Sequence, residues 1–94
     1  DYSIKLWDLQ HRQLIRTLNG HNSSVLSLVV SPDGQTLFSS SGDKTIKVWD
    51  LRTGTEIHTL YGHTGWVNTL GLSRDGEILV SGSNDGPIKV WGLE

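Results

Sequence analysis

Two stretches of sequence decide the fold. Residues 20–50 read GHNSSVLSLVVSPDGQTLFSSSGDKTIKVWD, and residues 62–92 read GHTGWVNTLGLSRDGEILVSGSNDGPIKVWG. A shift of 42 positions aligns them, and over the whole chain the same shift gives 25 identities in 52 aligned positions. Chance alone would give about three identities for average amino-acid usage. The chain is therefore built on a repeat of 42 residues, a period found in propeller blades and in helical arrays.

The identities fall on residue types with distinctive chemistry, not only on apolar positions. An aspartate, a tryptophan, a Gly-His pair, an Asp-Gly pair and a serine each recur in register. They are Asp1, Asp43 and Asp85; Trp7, Trp49 and Trp91; Gly20-His21 and Gly62-His63; Asp33-Gly34 and Asp75-Gly76; and Ser39 with Ser81.

The local pattern inside one repeat favours strands over helices. Short runs of β-branched and apolar residues are separated by turn residues such as Ser31-Pro32-Asp33-Gly34, and no window shows a sustained helical period. The predicted strands of the complete repeat are residues 25–30, 36–40, 45–49 and 56–60. A four-stranded unit with this period predicts an all-β fold built from propeller blades.

These motifs resemble the WD-repeat family, and the resemblance covers the whole chain. It implies β-propeller blades of four antiparallel strands, labelled a to d from the central channel outward. On that basis residues 1–18 form a partial blade with strands c and d, residues 19–60 form a complete blade, and residues 61–94 form a blade without its outer strand. The chain thus holds an incomplete propeller, because the family usually closes its ring with seven blades.

Each repeat also carries the residue types of a hydrolase triad: His, Ser and Asp. A catalytic role is disfavoured because the serine lies inside a strand, without a nucleophile elbow or a Gly-rich oxyanion site, and because the set recurs in consecutive blades. Hydrogen-bond chemistry offers a structural role instead, in which the Trp indole donates to Ser, Ser to His, and His to Asp. This series of hydrogen bonds resembles the structural tetrad of the WD-repeat family. The predicted tetrads are His21, Ser39, Asp43 and Trp49, and His63, Ser81, Asp85 and Trp91.

Composition and charge exclude several other classes of protein. The formal charge is −2, with eight Lys and Arg scattered among ten Asp and Glu, so we expect neither a nucleic-acid surface nor a membrane surface. No apolar stretch is long enough to span a bilayer, so we expect no transmembrane segment, and we expect no signal peptide within the residues given. The absence of cysteine excludes a disulfide framework and a thiolate site and favours the cytosol. His11 and His58 lack ligand-type neighbours, so we expect no metal site and no cofactor.

Function is expected to depend on exposed positions that differ between the copies. Trp66 is the most informative, since the preceding repeat has Ser24 there and the fold itself does not require an aromatic residue. Tyr61, Asn68 and Lys44 vary in the same neighbourhood, and aromatic residues are frequent in interface hot spots. The alternative is that Trp66 packs on the neighbouring blade or is a tolerated aromatic residue on the surface.

The sequence therefore predicts a protein-interaction scaffold without catalysis, which binds partner proteins or peptides on the propeller face. The alternative function is a regulatory or sensor propeller fused to an enzyme outside these residues. Because open blade faces would expose Val, Ile and Leu, the chain should also contact further blades, from the same longer chain or from other copies.

Overall fold

The computed structural model describes residues 2–86 and 88–93, and within these residues the regular structure consists of β-strands. Each strand has five or six residues and contains the β-branched and apolar residues of the repeat. The strands are β1 Ile4–Asp8, β2 Gln13–Leu18, β3 Val25–Val30, β4 Thr36–Ser41, β5 Ile46–Asp50, β6 Thr55–Leu60, β7 Val67–Leu72, β8 Ile78–Ser83 and β9 Ile88–Gly92. In the complete repeat these bounds lie within one residue of those expected from the sequence.

The strands form three antiparallel sheets in chain order. Sheet 1 contains β1 and β2, sheet 2 contains β3, β4, β5 and β6, and sheet 3 contains β7, β8 and β9. The predicted fold class of antiparallel, four-stranded blades in an incomplete propeller is confirmed. The unit boundaries at residues 18/19 and 60/61 remain predictions, and Asp1, which aligns with Asp43 and Asp85, lies outside the described residues.

The first hairpin of sheet 2 is closed by the turn chemistry that the sequence predicted. Gly34 has a φ of 76°, a left-handed conformation that side-chain-bearing residues rarely adopt. The Asp33 carboxylate accepts hydrogen bonds from the Ser31 hydroxyl and from the Gln35 amide at 3.0 Å. Gly76, with a φ of 77°, occupies the equivalent turn of sheet 3. The repeated Asp-Gly pair therefore fixes the same hairpin twice.

The cores lie between neighbouring sheets, because each sheet is apolar on both faces. Two clusters of buried apolar side chains fill these spaces. The first cluster contains Ile4, Leu18, Leu37 and Trp49, and the second contains Phe38, Ile46, Val48, Val67, Leu70 and Leu79. Sheet 2 thus packs against sheet 1 on one face and against sheet 3 on the other.

Equivalent positions show how far this burial depends on a neighbouring sheet. Ile46 of sheet 2 is 0% exposed, whereas the equivalent Ile88 of sheet 3 is 72% exposed. On the opposite face Leu70 of sheet 3 is 9% exposed, whereas the equivalent Leu28 of sheet 2 is 49% exposed. One face of sheet 3 and part of one face of sheet 2 are therefore apolar and open to solvent.

Candidate functional site

The first predicted tetrad is assembled from four segments of the blade formed by sheet 2. His21 precedes β3, Ser39 lies in β4, Trp49 lies in β5, and Asp43 lies in the turn between β4 and β5. Trp49 Nε1 lies 2.8 Å from Ser39 Oγ. His21 Nε2 lies 2.7 Å from Ser39 Oγ, and His21 Nδ1 lies 2.8 Å from Asp43 Oδ2. The four side chains form one continuous chain of hydrogen bonds.

Chemistry assigns a direction to each bond in this chain. An ionised carboxylate only accepts, so His21 Nδ1–H donates to Asp43 and, in the neutral imidazole, leaves Nε2 as an acceptor. The Ser39 hydroxyl donates to that nitrogen, and its oxygen accepts the Trp49 indole N–H. Every polar group of the tetrad therefore has a suitable partner.

The second predicted tetrad repeats this geometry in sheet 3. Trp91 Nε1 lies 2.9 Å from Ser81 Oγ, and His63 Nε2 lies 2.7 Å from the same oxygen. His63 Nδ1 lies 3.0 Å from Asp85 Oδ2. The segment before β7 is thereby joined to β8, to β9 and to the turn between them.

The tetrad aspartates are held ionised by several donors. Burial raises the pKa of Asp43, but hydrogen bonds from Thr45, from the Asn22 amide and from His21 outweigh it and lower the pKa to about 2. The pKa of Asp85 is also lowered, chiefly by the Thr64 amide, which lies 2.7 Å from Oδ2. Each carboxylate therefore ties the backbone before the first strand of its sheet to the turn between the second and third strands.

The tetrads are suited to holding strands together and poorly suited to nucleophilic catalysis. Ser39 and Ser81 are both buried. Each hydroxyl already donates to histidine and accepts from tryptophan. Such a series of hydrogen bonds stabilises the fold, because each buried polar group left without a partner would lower the free energy of unfolding by about 1–3 kcal/mol.

A further polar cluster, which the sequence interpretation missed, connects β5 to β6. Lys47 is buried, and its Nζ lies 2.9 Å from Glu56 Oε2 and 3.0 Å from Thr59 Oγ1. The Thr59 hydroxyl and the Lys47 ammonium lower the pKa of Glu56 against the opposing effect of burial. The sequence did contain one indication of this cluster, because Lys5, Lys47 and Lys89 occupy the same position in all three copies of the repeat.

The four predicted partner-binding residues lie at one end of the sheets, named here the loop edge: Lys44, Tyr61, Trp66 and Asn68. In antiparallel sheets the turn after the second strand and the segment after the fourth strand come to the same end. That end carries Lys44 in the β4–β5 turn and Tyr61 and Trp66 between β6 and β7. All four residues are exposed.

Contacts on the loop edge centre on Trp66 and Asn84. Trp66 is 56% exposed, and its Cδ1 lies 3.8 Å from the position that a Cβ on Gly42 would occupy, so its ring reaches sheet 2. The Trp66 carbonyl accepts a hydrogen bond from the Asn84 backbone N–H at 3.1 Å. The Asn84 side chain also takes part, since its Oδ1 accepts from Asn68 Nδ2 at 2.7 Å. Within residues 2–86 and 88–93, no hydrogen bond or ring contact joins Tyr61 to Trp66.

Other candidate chemistry is limited in the part of the chain that the structure describes. No group of three or more His, Cys, Asp or Glu residues is arranged to hold a metal ion among those residues. The expectation that His11 lacks a ligand-type neighbour is wrong, because its Nδ1 pairs with Asp8 Oδ2 at 2.9 Å. Of the described residues, none belongs to a helix long and apolar enough to cross a bilayer.

Comparison with known proteins gives matches to WD-repeat sequences. Nuclear distribution protein nudF of Emericella nidulans is 53% identical over 45 residues, or 48% of this chain and 10% of that protein. Transducin beta-like protein 3 of Bos taurus is 48% identical over 44 residues, which cover 47% of this chain and 6% of that protein. Protein FIZZY-RELATED 3 of Arabidopsis thaliana is 45% identical over 42 residues, which cover 45% of this chain and 9% of that protein.

The matched segments span a tenth or less of the length of these relatives. A match to the family described as WD domain, G-beta repeat, extends much further along this chain and covers residues 12–50 and 54–92. The family is in general a non-catalytic interaction fold. With most of its residues matched and its sheets built as propeller blades, the chain belongs to the WD domain, G-beta repeat family.

Proposed function

We propose that this chain is a protein-interaction scaffold that binds partner proteins or peptides through the loop edge. The observation that carries the proposal is the exposure of Trp66, more than half of whose surface is open to solvent. The equivalent position of the preceding repeat is Ser24, so the blade can be built without an aromatic side chain there. A large exposed tryptophan that the fold does not need is typical of an interface hot spot.

The loop edge also supports recognition because its backbone is held in place before any partner arrives. The Asp85 carboxylate accepts the Thr64 amide, and the Trp66 carbonyl accepts the Asn84 amide. His63 adds a buried bond to Asp85. A side chain presented on an ordered backbone loses less conformational entropy on binding, which strengthens the interaction.

The chemistry of the loop edge favours a partner that offers both apolar and polar groups. Trp66 and Tyr61 supply apolar surface, whereas the Asn68 amide and the Lys44 ammonium supply hydrogen-bond donors. An extended peptide or a loop with an acidic group near an apolar side chain meets these requirements. The proposal includes no catalytic step, so we expect a serine-reactive probe to leave the buried Ser81 unlabelled.

The proposal is tested by placing a photoreactive amino acid at position 66 and identifying the proteins that become crosslinked. The affinity of each captured partner is then measured for the wild type and for the W66A and Y61A variants. We expect W66A to weaken binding by about tenfold or more, the effect of losing one hot-spot side chain.

The matched control is W7A, because Trp7 is a tryptophan of nearly equal exposure, 54%, on sheet 1. We expect W7A to bind as the wild type does. If W66A and Y61A leave the affinity of every captured partner unchanged, or if W7A weakens binding equally, the loop edge is not the binding surface.

A further inference from the structure

The segment that joins sheet 1 to sheet 2 contains a pair of residues with covalent chemistry of its own, Asn19 and Gly20. Both residues are exposed, and they lie between Leu18, which ends β2, and the buried tetrad residue His21. Among the residues that the structure describes, neither the Asn19 side chain nor the Gly20 backbone N–H has a hydrogen-bond partner. The two groups are therefore open to water and lie outside the strands.

The packing of the tetrad tryptophan explains why glycine stands at position 20. A Cβ there would lie 3.0 Å from Trp49 Cη2, which is closer than an ordinary van der Waals contact. The equivalent Gly62 has the same restriction, because a Cβ there would lie 3.0 Å from Trp91 Cη2. The blade therefore needs glycine in both copies, whereas the residue before it varies and is Asn19 in one copy and Tyr61 in the other.

An asparagine that precedes glycine can react with its own backbone, because glycine has no Cβ to hinder the approach. The Gly20 nitrogen attacks Asn19 Cγ and the Cγ–Nδ2 bond breaks, while the proton of the attacking nitrogen passes through water to the departing ammonia. The product is a five-membered succinimide ring. Water then adds to one of the two ring carbonyl carbons and breaks its bond to the Gly20 nitrogen. Opening at Cγ gives aspartate, and opening at the main-chain carbonyl gives isoaspartate, so the net reaction consumes one water and releases one ammonia.

We propose that Asn19 is a site of spontaneous deamidation in the folded protein and that the isoaspartyl product disrupts the first tetrad. Isoaspartate adds one carbon atom to the main chain between Leu18 and His21, which are only 2% and 5% exposed. Two residues separate these fixed points, so they leave little chain in which the extra atom can be absorbed. The added length therefore displaces His21 from its bonds to Ser39 and Asp43.

The other three asparagines are less suited to this reaction and serve as internal references. Each of them precedes a residue that carries a side chain: Asn22, Asn68 and Asn84. Asn68 lies in β7 and donates its side-chain amide to Asn84 Oδ1 at 2.7 Å. The nitrogen that would attack Asn84 is that of Asp85, and its N–H donates to Ser83 Oγ at 3.2 Å. Asn19 is thus the asparagine that combines exposure with a following glycine.

The test holds the purified chain at mildly alkaline pH in water enriched in heavy oxygen, both in buffer and in concentrated guanidinium chloride. Ring opening adds one oxygen atom from water, so peptide mapping by mass spectrometry measures the labelling rate at each asparagine. In the folded chain we expect Asn19 to be labelled several-fold faster than each of the other three asparagines. We also expect its rate in buffer to be close to its rate in guanidinium chloride, because the fold gives it no protecting hydrogen bond.

Three variants locate the reaction and its consequence. N19Q should remove the labelled site, and Y61N, which places an asparagine before Gly62, should create a second site in the equivalent segment. Freshly purified N19D is the matched control for stability, because it carries the charge of the product on an unaltered main chain. The isoaspartyl form is separated by chromatography, and its midpoint in urea unfolding should be lower than that of N19D. The midpoint of N19D should equal that of the wild type.

Three results would overturn the proposal. One is labelling of Asn19 that is fast in guanidinium chloride and slow in buffer, which would mean that the fold protects this residue. Another is equal labelling of all four asparagines in the folded chain. The third is an isoaspartyl form that unfolds at the same midpoint as N19D, since the tetrad would then tolerate the longer main chain. None of these outcomes depends on whether the loop edge binds a partner.

Discussion

Two adjacent buried serines provide a sharp test of the tetrad. Ser39 and Ser40 are both fully buried in β4, but their hydroxyls differ in hydrogen bonding. Ser39 Oγ contacts both Trp49 Nε1 and His21 Nε2, whereas Ser40 Oγ has no hydrogen-bond partner among the described residues. We therefore expect alanine to be destabilising at position 39 and tolerated at position 40.

The expected magnitude follows from the groups that each substitution leaves behind. S39A leaves the Trp49 indole N–H and His21 Nε2 buried without partners, at about 1–3 kcal/mol each, so the free energy of unfolding should fall by about 2–6 kcal/mol. S40A removes a buried hydroxyl that is already unpaired, so its effect should lie between neutral and about 1 kcal/mol stabilising.

The assay is equilibrium unfolding in urea followed by far-UV circular dichroism, with unfolding free energies taken from the transition midpoint and slope. A double-mutant cycle with W49F separates the two bonds of Ser39. Once the indole donor is absent, S39A should cost about 1–3 kcal/mol less than it does in the wild type. The reasoning is refuted if S39A is no more destabilising than S40A, or if the cycle shows no coupling.

Two further predictions concern ionised side chains. Folding lowers the pKa of Asp43 from 3.8 to about 2, so the ionised Asp43 carboxylate stabilises the folded state. This contribution to the free energy of unfolding is complete above about pH 4 and is lost as the pH falls towards 2. In urea unfolding measured across this pH range, D43N should flatten the dependence of stability on pH. K47M should lower the free energy of unfolding by about 0.5–1 kcal/mol, because it removes the cation beside Glu56 but leaves that carboxylate partly open to water. K89M should change the free energy of unfolding little, and equal effects of the two variants in thermal unfolding would contradict the contacts described for Lys47.

Much of the fold could be predicted because the information is local and repeated. The Asp-Gly turns and the alternating apolar residues predict where the hairpins lie to within a few residues. The 42-residue period shows where each copy of the repeat begins. The tetrad members were also suggested by residue type, because indole, hydroxyl, imidazole and carboxylate form a complete donor and acceptor series. The geometry brings these four side chains together in both sheets.

Other features depend on pairs of residues that the repeat alone does not connect. The contact of Lys47 with Glu56 and Thr59 requires the register between β5 and β6, including the irregularity between Val48 and Trp49. The reach of Trp66 to Gly42 requires sheets 2 and 3 to be packed together. Sequence reasoning left partner contact, packing on the neighbouring blade and a tolerated surface aromatic as alternatives for Trp66. Its ring lies beside Gly42 of the neighbouring blade and is 56% exposed.

The clearest division between sequence and tertiary structure lies in the tetrapeptide Ile-Lys-Val-Trp, which occurs at residues 46–49 and 88–91. By itself this sequence determined a strand with alternating apolar and polar side chains, and both copies form one. Only the tertiary structure decided that Ile46 is covered whereas Ile88 is open, and that Lys47 pairs with Glu56 whereas Lys89 has no ion pair among the described residues. The reason is physical: strand formation depends on the local backbone and its residues, but burial and pairing depend on whether another strand or sheet lies beside them.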